Sequence, residues 1–159
     1  MVVIVSVSCN RRPAGMPETF PCKITVLNNG VPMPECDVRL HRSDGNGSLS
    51  IMADTDTSGV AVIRTRFAHY TATGSPEGVF KVTIAEKQIQ LPPDGVDVSK
   101  TPMSWDEQAA YFAKRKEEAE KYRIVPVHLT AAATTPLEIK LEKGGTSQWS
   151  FDVKDFAGQ

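Results

Sequence analysis

A chain of 159 residues has the length of one domain and can bury a core without a metal or a set of disulfides to hold it. Its 18 basic and 19 acidic residues leave a net charge of -1, which gives no electrostatic footprint for nucleic acid and no polybasic surface for anionic lipid. No nucleic-acid partner is expected, and beyond the N-terminal apolar run nothing approaches the length of a membrane span.

That opening run, Met1 to Asn10, ends in small residues and a cysteine and turns polar at Arg11-Arg12-Pro13. It is read as the remnant of a bacterial lipoprotein signal with Cys9 as the lipidated residue, so that a lipid anchor is the only membrane attachment expected. The other reading is an edge strand, since Val3, Val5 and Val7 alternate with Val2, Ile4 and Ser6. Residues 1–19 are set apart as this segment and a linker. Residues 20–155 are taken as a single domain with a helical insert over 86–124.

Within the domain, Cys22, Ile24 and Val26 fall on one face of a strand that Asn28-Asn29-Gly30 stops. Pro32 and Pro34 keep the next residues extended and unpaired, and the second strand then places Cys36, Val38 and Leu40 inward with Asp37, Arg39 and His41 outward. Cys22 and Cys36 form a candidate disulfide, worth about 3 kcal/mol in the chain-entropy model. Spacing alone does not supply the geometry, and two buried free thiols are the preferred reading.

Ser43 to Ser48 is a loop by composition. Its Asp44-Gly45-Asn46-Gly47-Ser48 lacks the glycine and the acidic residue of a calcium loop at the sixth and twelfth positions, which are Leu49 and Thr55. Leu49, Ile51 and Ala53 make a third strand. In the turn that follows, a side-chain oxygen of Asp56 accepts nearby backbone N–H groups and Gly59 supplies a positive φ. Ala61 and Ile63 continue the inward set, while Val60 and Val62 make the opposite face apolar as well. Phe67 to Thr73 reads as a connection. Pro76 and Gly78 launch a strand with Phe80, Val82 and Ile84 inward.

From Glu86 to Met103 the periodicity fades, and Pro92-Pro93-Asp94-Gly95 breaks any regular element. Ser104-Trp105-Asp106-Glu107 is a capping-box pattern that opens a helix over about 105–122. Its stripe of Trp105, Ala109, Phe112, Ala113 and Ala119 is expected to cover Val60 and Val62. The chain closes on an expected hairpin. Leu137, Ile139 and Leu141 lie inward on one strand, Gly144-Gly145 makes the turn, and Trp149, Phe151 and Val153 lie inward on the other.

Residues 20 to 85 resemble the carboxypeptidase regulatory-like, or transthyretin-like, β-sandwich domain. The resemblance lies in the order of Ile24 to Val26, Gly30, Pro32, Thr55-Asp56 with Gly59, and Pro76 with Gly78 and Phe80. The chain departs from it at Glu35, where the family commonly has glycine. The segment from Val125-Pro126 through Thr134-Thr135-Pro136-Leu137 to Trp149-Ser150-Phe151-Asp152-Val153 looks like the end of planctomycete-type envelope lipoproteins that carry this domain. The resemblance implies a mainly β, transthyretin-like or Ig-like antiparallel sandwich of about seven strands with one inserted helix. It also implies an extracytoplasmic module, in the periplasm or on the cell surface, with a binding or structural role and a protein or glycan partner.

No catalytic, cofactor or metal site is expected. His41, His69 and His128 are isolated, with no second ligand at metal spacing. Intradiol dioxygenases, which share this kind of sandwich, need a close histidine pair, and hydroxyisourate hydrolases need a tyrosine-arginine-glycine-serine tail. This sequence has neither, ending in Asp155-Phe156-Ala157-Gly158-Gln159. The alternatives are an enzyme that gathers His128 with polar residues of 86–103, and a carbohydrate-binding module with aromatic rings exposed on one face.

Overall fold

The computed structural model describes residues 12–43, 49–89, 91, 94–96 and 100–158. Cys9, the loop over 44–48, and Pro92-Pro93 lie outside the described residues.

The described strands are β1 (Lys23–Asn28), β2 (Val31–Pro32), β3 (Cys36–Arg42), β4 (Ser50–Asp54), β5 (Val60–Val62), β6 (Arg64–Phe67), β7 (Tyr70–Thr73) and β8 (Gly78–Glu86). Helix α1 (Trp105–Lys121) follows, then β9 (Glu138–Leu141) and β10 (Gln148–Asp152). One sheet runs β10-β1-β2, with β5 also paired to β1, and the other runs β7-β6-β4-β3-β8-β9. The fold is therefore mainly β, a two-sheet sandwich with one helix. The alternating residues supply its core: Ile24, Val26, Val38, Ala61, Ile63, Phe80, Val82 and Ile84 are fully buried. Each sheet puts every second side chain into the space between them.

The strand after Asp56 changes sheets at Ile63. Residues 60–62 pair with β1, and residues 64–66 pair with β4. Ile63 donates its N–H to Cys22 O (3.0 Å), and its carbonyl accepts from Gly74 N (2.7 Å). The stretch read as a connection is instead a hairpin, in which β7 pairs with β6. Ala68 turns it at φ +50°.

The closing hairpin is corrected. Residues 138–141 join β8 in the larger sheet, and residues 148–152 lie parallel to β1 in the smaller one, so the sandwich is not wholly antiparallel. The inward rows hold, with Leu137, Ile139, Leu141 and Val153 buried and Trp149 and Phe151 packed on the core. Alternation specifies which face is buried, not which strand lies alongside.

The expected cover of β5 is also corrected. None of the α1 residues is buried, Trp105 is 87% exposed, and β5 packs on β1 and β4 with Val62 in solvent. The helix turns its other side inward. Tyr111 Oη donates to Asp94 Oδ2 (2.8 Å), Arg115 Nε lies 3.5 Å from the same oxygen, and Gln108 Nε2 donates to Met103 O (3.4 Å). These polar ties to the insert's own chain fix the helix, and a stripe of one tryptophan, one phenylalanine and alanines offers little area to oppose them.

Two glycines carry backbone the fold cannot form otherwise. At Gly59 (φ +73°) a Cβ would stand 2.7 Å from Val26 O, and at Gly74 (φ +96°) it would collide with the backbone of Phe20. Gly144 has a similar φ of +74° with nothing near it. Gly144→Ala should cost about 1–2 kcal/mol, the left-handed backbone alone, and Gly59→Ala and Gly74→Ala distinctly more. Urea unfolding midpoints rank the three.

The capping box forms as expected. Glu107 N donates to Ser104 Oγ (3.3 Å) and Ser104 N donates to Glu107 Oε2 (2.8 Å). Removing such a cap costs a helix about 1 kcal/mol. Because none of the α1 residues is buried, Ser104→Ala should speed amide exchange within the helix and leave the global unfolding midpoint in place. A drop in that midpoint would mean that helix and sandwich unfold together.

Candidate functional site

The turn residues singled out in the sequence act on the backbone. Asp56 Oδ1 accepts from Ser58 N (2.9 Å), Ser58 Oγ (2.6 Å) and Val60 N (3.0 Å). The Ser58 hydroxyl and then the Val60 N–H hold its carboxyl below the usual carboxylate range. What Asp56 lends to stability is thus present above that range and is lost as the pH falls through it. Pro76 follows the bridge between Ser75 and Phe20, and Gly78 begins β8.

Cys22 and Cys36 are buried free thiols, so the candidate disulfide is not formed. They precede and open strands of different sheets, and each is packed as a core side chain. Burial pushes the Cys22 thiol up to about 12. It also pushes Cys36 up to about 11, against a lowering hydrogen bond with Thr55. Thiolate chemistry is suppressed at both.

The histidines sit on three different elements. His69 sits in the turn between β6 and β7, and His128 lies in the 3₁₀ turn Val127–Thr130, where its buried Nε2 has no hydrogen-bond partner. His41 shares a 3.0 Å hydrogen bond with Thr83 Oγ1 on the outer face of β3 and β8. There Asp37, Arg39, His41, Thr83 and Ala85 floor a cavity of about 390 Å³ that residues 130–132 overhang. Both Nε and Nη2 of Arg39 donate to Asp37 Oδ2, while Oδ1 is buried and unpartnered. This cavity has one histidine in its lining, bonded to a threonine and not to the carboxylate. Among the described residues, no three His, Cys, Asp or Glu side chains stand close enough to hold a metal ion. Asp94 of the insert is engaged by Tyr111, Val96 and Arg115.

A second cavity, of about 280 Å³, lies where the smaller sheet meets the base of the insert. Val31, Pro32, Met33, Pro34 and Ile124 make it largely apolar, with Asn28, Glu35, Glu86 and Gln88 at its border. Two features build it. Thr55 Oγ1 donates to Met33 O (2.7 Å) and accepts from Cys36 N (2.8 Å), which fixes the proline-bearing segment. Glu86 Oε2 accepts from Ile124 N (3.0 Å) and Val125 N (3.1 Å), which anchors the returning end of the insert. Val31 is 63% exposed and Ile124 49%. An apolar hollow with a few converging polar groups is the usual form of a binding site.

The sequence did not mark this groove, since Val31 and Ile124 belong to no alternating row. Glu35 was the available signal. Its φ of +56° is unusual for a non-glycine residue. Compared with family models, curated proteins and solved structures, the chain matches none. Among the described residues, no helix is long and apolar enough to cross a membrane.

Both cysteines should resist a thiol reagent at neutral pH in the folded protein and react once it is denatured. Folding raises both values from an ordinary 9.0, so their protonated state lends full stability below that pH. The contribution declines as the pH rises through about 11 and 12. An alkaline unfolding series on the wild type and on Cys22→Ala/Cys36→Ala measures it, the variant giving the flatter curve.

Proposed function

We propose that the protein is a non-enzymatic β-sandwich module of the cell envelope, of the carboxypeptidase regulatory-like type, which works by binding. The observation that carries this reading is the apolar groove between β2 and the insert, whose rim residues Val31 and Ile124 remain in solvent. Exposed apolar side chains around a hollow mark a contact surface. The polar residues nearby are engaged in holding backbone, as Thr55, Asp56 and Glu86 are.

Further support comes from Glu35. It takes the left-handed conformation at the position where the resembling family has glycine. The Asp56 to Gly59 turn likewise has the geometry that its threonine-aspartate-glycine pattern requires. Buried thiols held far above neutral pH are no obstacle to an oxidising compartment, because the thiolate is the reactive form.

Expression from the full-length gene, followed by envelope fractionation and mass spectrometry of the N-terminus, tests the reading. The expected product sits in the envelope fraction with its N-terminus processed and Cys9 carrying the mass of a lipid. A ligand that raises its melting temperature should be recovered chemically unchanged. An unmodified, uncleaved chain in the cytoplasm, or turnover of the bound ligand, overturns the reading.

A further inference from the structure

We infer that the groove beside β2 receives an apolar side chain from a partner protein, on a peptide segment that carries a lysine or arginine next to it. The inference rests on the binding-module reading and names the partner's chemistry. At about 280 Å³ the cavity falls just below the roughly 300–1,000 Å³ of pockets that enclose a whole small ligand, so it suits one or two side chains. Its apolar surface continues past the rim, where Val31 is 63% and Ile124 49% exposed. A small molecule in the hollow leaves those side chains in water. A polypeptide laid across the rim covers them.

The mode of contact follows from the edge. β2 is two residues long, and Pro32 and Pro34 have no N–H to offer, so a partner strand cannot extend the sheet there. Recognition is through side chains entering the groove. The border supplies the charge preference, because Glu35 and Glu86 both line it. The basic residues nearby make their direct contacts with other carboxylates, Lys87 Nζ with Asp54 Oδ2 (2.6 Å) and Arg123 with both oxygens of Glu120 (2.8 and 2.7 Å), while Lys87 also feels the charge of Glu35 and Arg123 that of Glu86. Glu86 is committed to the N–H groups of Ile124 and Val125, which leaves Glu35 as the carboxylate that meets the partner's cation. Glu35 is exposed and held at φ +56°, where its own backbone gains nothing from a glutamate.

The test is a backbone NMR titration of the full chain with three blocked tripeptides, leucine-lysine-leucine, leucine-glutamate-leucine and serine-lysine-serine. The lysine peptide with flanking leucines should shift the amides of Val31, Glu35, Gln88 and Ile124 saturably, and more weakly as salt rises. Glu35→Gln should weaken it roughly two- to fivefold, as for an exposed charge pair. Val31→Ser, at an exposed site that leaves the core intact, should weaken it about tenfold. Equal binding of the glutamate peptide removes the charge assignment. Equal binding of the serine peptide removes the apolar one, and no saturable shift at these residues with any peptide removes the inference. None of these results touches the envelope-module reading, which falls only on turnover or on an unprocessed cytoplasmic chain.

Discussion

The hydroxyl of Thr55 is the contact on which this sandwich depends. Pro32 and Pro34 each lack an N–H; Pro32, expected to be unpaired, lies in β2 opposite Leu27, and Met33 N donates to Val26 O (2.9 Å), so the pairing with β1 ends only after Met33, where Met33 and Cys36 are buried. A buried carbonyl or N–H left unpaired costs about 1–3 kcal/mol. Thr55 satisfies one of each, at 2.7 and 2.8 Å, while its own N–H donates to Cys36 O (2.9 Å) and its carbonyl accepts from Glu35 N (3.1 Å). The residue therefore joins the end of β4 to the start of β3. The Asp56 turn immediately after it brings Gly59 against Val26 O of β1. Both sheets are registered at this one place, and Met33 and Pro34, which the clamp holds, become the floor of the groove.

How much of this was legible depends on what each residue is asked to specify. The rows Cys22, Ile24, Val26, then Cys36, Val38, Leu40, then Phe80, Val82, Ile84 were readable because a strand's period of two fixes the buried face directly. Partnership was not readable. The rows at Leu137 to Leu141 and Trp149 to Val153 pack inward whether they lie side by side or in opposite sheets, and the turn between them does not decide it. The crossing at Ile63 is similarly silent, since one buried isoleucine looks the same whichever sheet its neighbours join. Gly74 escaped because it follows β7, a stretch whose pattern reads as a connection. Only the approach of Phe20, more than fifty positions earlier in the chain, makes it indispensable.

The insert divides in the same way. Its helix start is a local hydrogen-bond exchange between Ser104 and Glu107, so the sequence announces it. Its orientation is a contest between faces, and amphipathic pattern alone picked the wrong side. Tyr111 and Arg115 both reach Asp94, which lies before the helix and belongs to no periodic element. Those bonds turn Trp105 and Phe112 outward.

The part of the insert that matters for the groove is accordingly its return and not its helix. Glu86 ends β8, and its carboxylate receives the chain as it comes back at Ile124 and Val125. Val125 drops into the core with no exposure, while Ile124 beside it stays half exposed and becomes a wall of the hollow. A bare sandwich would have the prolines of the β2–β3 segment as a flat apolar edge. One carboxylate, by closing the base of a long excursion, raises a second apolar wall opposite that edge and makes a concave site. Glu86 is engaged in that closure, so the exposed carboxylate left at the border is that of Glu35.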